Sequence, residues 1–186
     1  MNIPKIKFQA MSLEENIETI KWAFYEDNGD LSVHYYTIQY FPELASIDIN
    51  EPKDKVYKII EQVVTKDYEI YKDRIISEVE RYNKLWNEYN DKYFKMLSNF
   101  LGVGFPKNVE QIDAKVGLIP VFPRYLESFS FSLSTGVEDW KVIETSAHET
   151  LHFLWFEKWK KLYPETPKQQ YDSPHIEWKY SEMVTD

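Results

Sequence analysis

Hydrophobic positions recur at helical spacing over two long stretches of this chain. Residues 53–100 contain no Gly or Pro, and Val56, Ile60, Val64, Tyr68, Tyr71, Ile75, Val79, Tyr82, Trp86, Tyr93 and Leu97 fall at three-, four- or seven-residue steps. One straight helix of that length would span roughly 70 Å. A compact domain therefore predicts a break, near Lys66-Asp67 or Lys72-Asp73, and two helices packed as a hairpin. A coiled-coil arm that assembles chains is the alternative use of the same stripe. Residues 138–162 form the second stretch, again without Gly or Pro, and Pro164 ends it. There Trp140, Ile143, Ala147, Leu151 and Leu154 predict one buried stripe. Phe153, Trp155, Phe156 and Trp159 add apolar bulk on the other faces, which marks a central helix covered on most sides.

Period-two alternation is weaker. In residues 128–134, Phe129, Phe131 and Leu133 alternate with four serines, predicting a strand, and a second short strand is expected at 117–121. The N-terminal 50 residues read as a strand region. Asn28-Gly29 is a hairpin signal between strands at about 17–25 and 31–40. A rival pattern competes with the first of these strands: Ser12 and Glu15 make a capping box, with Leu13, Ile17, Ile20 and Phe24 on one helical face and Gly29 as its C-cap. His34 lies in the second expected strand and reads as an ordinary half-exposed strand residue.

Composition narrows the class. At 186 residues, with 43% hydrophobic and 17% aromatic residues, the chain reads as a single α+β domain spanning 1–186. Its parts are an N-terminal strand region (1–50), a helical segment (53–100) and a C-terminal part (117–186). The net charge of −9 and the lack of a long basic patch argue against nucleic acid as a partner. No secretory leader and no apolar run long enough to span a membrane are visible, so a cytoplasmic protein is expected. There is no Cys. Any metal site must use His and carboxylate, a donor set that suits catalytic zinc better than structural zinc.

Four histidines are present, and two fall in His148-Glu149-Thr150-Leu151-His152. On a helix, residues i and i+4 share a face, so both imidazoles can point at one metal ion. Glu149 is rotated by about 100° and can reach a water at the open metal position. Two neutral ligands beside a general base is the arrangement a zinc hydrolase needs. Downstream candidates for a third ligand are Asp172, His175, Glu177, Glu182 and Asp186. Glu182 and Asp186 stand out because Pro174 precedes a short helical run that places them one turn apart. Glu182 could bind the metal, while Asp186 accepts a hydrogen bond from the outer nitrogen of a ligating His. His175 is the reserve ligand. Tyr171 and His175, in the loop between the two helices, are candidate oxyanion donors or substrate contacts. Arg124 is expected at the surface, with binding of a carboxylate or phosphate as the alternative.

His148-Glu149-x-x-His152 followed by Glu182-x-x-x-Asp186 resembles the gluzincin metallopeptidases, the thermolysin-like clan. Trp178-Lys179-Tyr180-Ser181-Glu182 together with His148 to Phe156 also resembles a set of small bacterial and archaeal proteins of this motif type. The resemblance covers roughly the last 70 residues. It implies a small zincin-like domain with a short mixed or antiparallel sheet, a motif helix and a glutamate helix. It further implies a zinc ion on His148, His152 and Glu182, with Glu149 as general base and Asp186 supporting the first His. The implied activity is hydrolysis of a peptide or protein substrate, with the strand at 128–134 pairing as an edge with the substrate backbone. Lys158 and Trp155 stand where a metzincin would carry His and Gly, which disfavours that clan. Thermolysin-like chains continue into a second subdomain that supplies transition-state stabilisers. This sequence ends at Asp186, so those groups are expected from within the chain or from a partner. A latent or non-catalytic zinc-binding regulatory or interaction module of the same fold is the alternative.

Overall fold

Alternation builds the first strand: in Lys5–Ala10 (β1), Ile6 and Phe8 are buried while Lys5 and Lys7 face solvent. The computed structural model describes residues 2–26, 33–119 and 121–184. After β1 come helices Leu13–Tyr25 (α1), Val33–Tyr40 (α2), Lys53–Asn87 (α3) and Asn90–Leu101 (α4). Strands Gln111–Gly117 (β2), Arg124–Tyr125 (β3) and Ser130–Ser134 (β4) follow, then helices Asp139–Leu162 (α5) and Ile176–Met183 (α6). The architecture is α+β: among the described residues there are six α-helices and one mixed four-stranded sheet, ordered β1-β2-β4-β3. β1, β2 and β4 are parallel, and β3 runs antiparallel to β4. The core lies between the sheet and α3, where Phe8 meets Tyr82 and Phe131 edge-on at 5.8 and 6.4 Å.

The two sheet edges are treated differently. An edge strand leaves unpaired backbone groups that must find other partners. On β1 two asparagines supply them. Asn83 accepts from the Phe8 amide and donates to the Phe8 carbonyl, both at 3.0 Å. Asn90 accepts from the Ile6 amide at 3.2 Å and donates to the Pro4 carbonyl at 3.0 Å. The opposite edge is the two-residue strand β3.

The N-terminal region departs from the expected hairpin. Residues 17–25 belong to α1, opened by the capping box: the Glu15 amide donates to Ser12 Oγ at 3.1 Å, and the Ser12 amide donates to the Glu15 carboxylate at 2.7 Å. Ile20, Ala23 and Phe24 form its buried face. The β-prone run that follows is also helical in 33–40, because Val33 and Thr37, one turn apart, find buried positions against α1. Packing overrides strand propensity here. The Asn28-Gly29 turn, with Gly29 as C-cap, lies outside the described residues. His34 is therefore a helical residue, and its Nδ1 bonds the Phe24 carbonyl.

The helical segment does break, but not at the expected places. α3 runs through Lys66-Asp67 and Lys72-Asp73 without interruption for 35 residues, about 52 Å. The break falls at Glu88-Tyr89, where Asn90 is drawn into the core. Its side chain bonds β1 and accepts from the Trp86 indole at 3.0 Å. The strand expected at 117–121 is displaced upstream, since β2 ends at Gly117. A Cβ on Gly117 would lie 2.4 Å from Met11 Sδ and 2.6 Å from Asn16 Oδ1, so this approach of α1 to the sheet requires glycine.

Candidate metal centre

Helix α5 carries acids in its first turn and Lys160 and Lys161 in its last, matching the helix dipole at both ends. Its buried face is not the stripe expected from sequence. Trp140 is exposed, and Ile143, Ala147 and Leu151 are half-buried. The inward residues are Val142, Thr145, Ser146, Glu149, Thr150, His152, Phe153, Leu154 and Phe156. Leu154 of the expected stripe is fully buried, but polar side chains share this inner face, because sheet, α3, α4 and α6 all touch the helix and apolar bulk occurs on every side of it. Tyr93 of α4 donates to the Ala147 carbonyl at 2.6 Å, and Lys158 donates to the Leu101 carbonyl at 2.7 Å, which fixes α4 along it.

The start of α5 is anchored by α3. The Glu78 carboxylate receives hydrogen bonds from the Thr135 hydroxyl, the Gly136 amide, Tyr82 Oη and Arg74 Nε. Arg81 pairs with Asp139 and donates to the Val137 carbonyl. These contacts set where the helix leaves β4.

His148, His152 and Glu182 form a group able to hold a metal ion. His148 Nε2 lies 3.1 Å from His152 Nε2 and 3.3 Å from Glu182 Oε2, and His152 Nε2 lies 3.5 Å from Glu182 Oε1. Donors bound tetrahedrally at zinc-like distances of about 2.0–2.1 Å stand about 3.3 Å from each other. The two histidine nitrogens lie near that edge, and each approaches one Glu182 oxygen at a similar distance, Oε2 for His148 and Oε1 for His152, so the donor set suits such an ion in chemistry and lies close enough to share it. The group has three members among the described residues. His152 is fully buried and its Nδ1 has no partner among them, while His148 and Glu182 are about one-third exposed.

The electrostatics follow from burial and proximity. The Glu182 contact pushes His148 above the ordinary imidazole value. Burial, with Arg124 and His148 nearby, pushes His152 down to about 2. One imidazole can carry a charge here and its neighbour cannot. Burial also raises Glu149 to about 7, and its Oε2 has no hydrogen-bond partner among the described residues.

Two cavities meet at His148 and Glu149. One, about 600 Å³, runs towards Tyr93, Lys141 and Thr145. The other, about 630 Å³, is walled by Trp22, Tyr36, Phe122 and Trp178 and reaches Glu182. Helices α1 and α2 thus supply a wall of the site, a role that the strand reading of 1–50 hides.

The remaining candidates scatter. Tyr171 is buried with its ring on Phe156 at 4.6 Å, and it lines neither cavity. His175 is an exposed residue at the N-cap of α6 and lines neither cavity; it does not belong to the ligand group. Asp186 lies outside the described residues. Strand β4 is not an edge along Ser130–Phe131, where β3 covers it, and the Ser132 amide donates to the Pro123 carbonyl at 2.9 Å. Arg124 is not a surface residue. Its side chain is only 12% exposed, and it contacts Glu182. The sequence signal for it was faint: an arginine between Pro123 and Tyr125, with partners 47 and 58 residues away.

Comparison with protein families, with curated proteins and with solved structures finds no match to this chain. Among the described residues no helix is long and apolar enough to cross a membrane.

Proposed function

We propose that this chain is a zinc-dependent hydrolase of peptide bonds, built on a small zincin-like domain of gluzincin type. The observation that carries the reading is the three-donor group His148, His152 and Glu182, spaced for a tetrahedral ion, with a buried carboxylate next to it in sequence and in the shared cavity. Three protein ligands with space beside them is the catalytic form of a zinc site, whereas structural sites close the fourth position with protein. The ion, when bound, supplies Lewis acidity towards water and a carbonyl oxygen.

The chain's own residues account for the rest. Glu149 takes a proton from the attacking water as its oxygen bonds the carbonyl carbon. It then delivers that proton to the amide nitrogen as the C–N bond breaks, and so ends as it began. Burial suits it to this exchange, because a carboxyl titrating near neutrality accepts and returns a proton with little bias. Phe122 and Trp178 restrict water around the reacting bond. Substrate backbone pairs with the outer edge of β3 rather than with β4, since β3 is the sheet edge that borders Glu182 through Arg124.

The second reading is a zinc-binding regulatory or interaction module with little turnover. Its support is that neither Tyr171 nor His175 lines the cavities, so neither expected oxyanion donor faces the reacting position. One experiment separates the readings. Protein loaded with zinc is assayed on unstructured peptides beside Glu149→Gln. The hydrolase reading expects about one zinc per chain in both proteins and loss of cleavage by about 10²–10⁴-fold in the variant. Stoichiometric zinc without Glu149-dependent cleavage selects the module. Absence of zinc binding removes both.

A further inference from the structure

We infer that Arg124 is a positioning residue that holds Glu182 in ligating geometry, an inference that rests on the metal-site reading above. Glu182 sits on α6, a helix of only eight residues whose one buried residue is Ser181. Helices this short have little stability of their own and depend on docking. Besides its approach to the two histidines, Glu182 receives Arg124 Nη1 at its Oε1, 3.3 Å away. The other terminal nitrogen of Arg124 donates to the Tyr171 carbonyl at 3.4 Å. The guanidinium also lies over the Phe156 ring, 5.7 Å from its centroid. One planar group therefore joins the sheet edge, the segment between α5 and α6, α5 itself and the metal-facing carboxylate. An arginine fork is suited to this because its donors are fixed in one plane and leave in different directions.

Two effects of Arg124 on the metal oppose each other. Its charge repels a cation and draws electron density from Glu182, which weakens binding. Its contacts restrict Glu182 and dock α6, which strengthens binding. We assign the second effect as the larger, because the guanidinium charge is already matched by the Glu182 carboxylate, while α6 buries one residue, Ser181, to dock itself. The sign of the change in metal affinity on removing Arg124 decides the matter.

The test measures zinc affinity by chelator competition for full-length wild type, Arg124→Met, Arg124→Lys, Glu182→Gln and the Arg124→Met/Glu182→Gln double variant, each with a melting curve. The expected result is a loss of about 10–100-fold in Arg124→Met, the range seen when groups that orient metal ligands are removed. Arg124→Lys should regain part of that loss, since lysine restores one charged donor to Glu182 but not the fork. In the Glu182→Gln background, Arg124→Met should produce no further loss, because there is no ligand left to position. Unchanged or tighter zinc binding in Arg124→Met overturns the inference and leaves the metal site standing. So does an equal loss with and without Glu182, which marks a purely structural role. If Arg124→Met does not fold, Arg124→Lys carries the test: wild-type affinity in it shows that the fork is not needed. Failure of wild type itself to bind zinc removes the metal-site reading, and the inference with it.

Discussion

The Nε2 atoms of His148 and His152 face each other at 3.1 Å. Two imidazole lone pairs cannot share that distance without a positive charge between them, so either one nitrogen donates a proton or both bind a cation. On the proposed metal-site reading, one cation meets both imidazoles and the Glu182 carboxylate together. Binding to the folded state alone should then stabilise the protein. At zinc concentrations a hundredfold above Kd the gain is about 2.7 kcal/mol. That corresponds to a rise in Tm of roughly 5–10 °C for a chain of this size. His152→Ala should show no rise in calorimetry under the same conditions.

Glu78 predicts an acid limit to stability. Burial raises its carboxyl, but hydrogen bonds from Thr135, Gly136 and Arg74 outweigh that and hold it below its ordinary value of 4.5. A carboxylate depressed in the folded state stabilises fully above its unfolded value, and that contribution disappears as pH falls through the folded value. Urea unfolding of wild type and Glu78→Gln should differ most near neutrality, by about 1–3 kcal/mol. The two curves should converge as pH drops below 4.5. A gap that stays constant down to low pH would refute the linkage.

Gly136 adopts φ +81°, and a Cβ there would stand 2.4 Å from Arg74 Nη2. Arg74 can move, but the left-handed backbone remains strained for any other L-residue. Gly136→Ala should lower stability by about 1–2 kcal/mol. The same turn precedes α5, so zinc affinity measured alongside should fall if the Glu78 contacts position the motif helix.

Asn90 gives the sharpest core prediction among polar residues. Asn90→Ala strands the Ile6 amide, the Pro4 carbonyl and the Trp86 indole N–H together. The loss should be at least about 2 kcal/mol. It should be accompanied by concentration-dependent association through the uncovered edge of β1, visible in light scattering.

Local chemistry made some of this legible from residues alone. The motif helix and the glutamate helix are marked by periodicity and by Pro164 and Pro174, and the resemblance to gluzincins named the same three residues, His148, His152 and Glu182, that the fold brings together. The capping box of Ser12 and Glu15 was legible as a rival signal for α1, but the strand reading of 1–50 competed with it and was wrong there. What sequence hid depends on distant neighbours. The Glu88-Tyr89 break follows from Asn90 meeting β1, 84 residues earlier. The polar inner face of α5 was concealed because its apolar residues surround it. Arg124 looked like a surface residue because nothing near it in sequence reveals Glu182.

The parallel pairing of β1 with β2 has a consequence in time. Lys5 aligns with Gln111, and β2 in turn needs β4 beyond it. During synthesis at about 5–20 residues per second, the first strand waits roughly 5–20 s for its neighbour. Once α3 and the start of α4 have emerged, Asn83 and Asn90 can shelter it before β2 arrives. Glu182 on α6 emerges later still, so the group His148, His152 and Glu182 comes together only after α6 has followed α5.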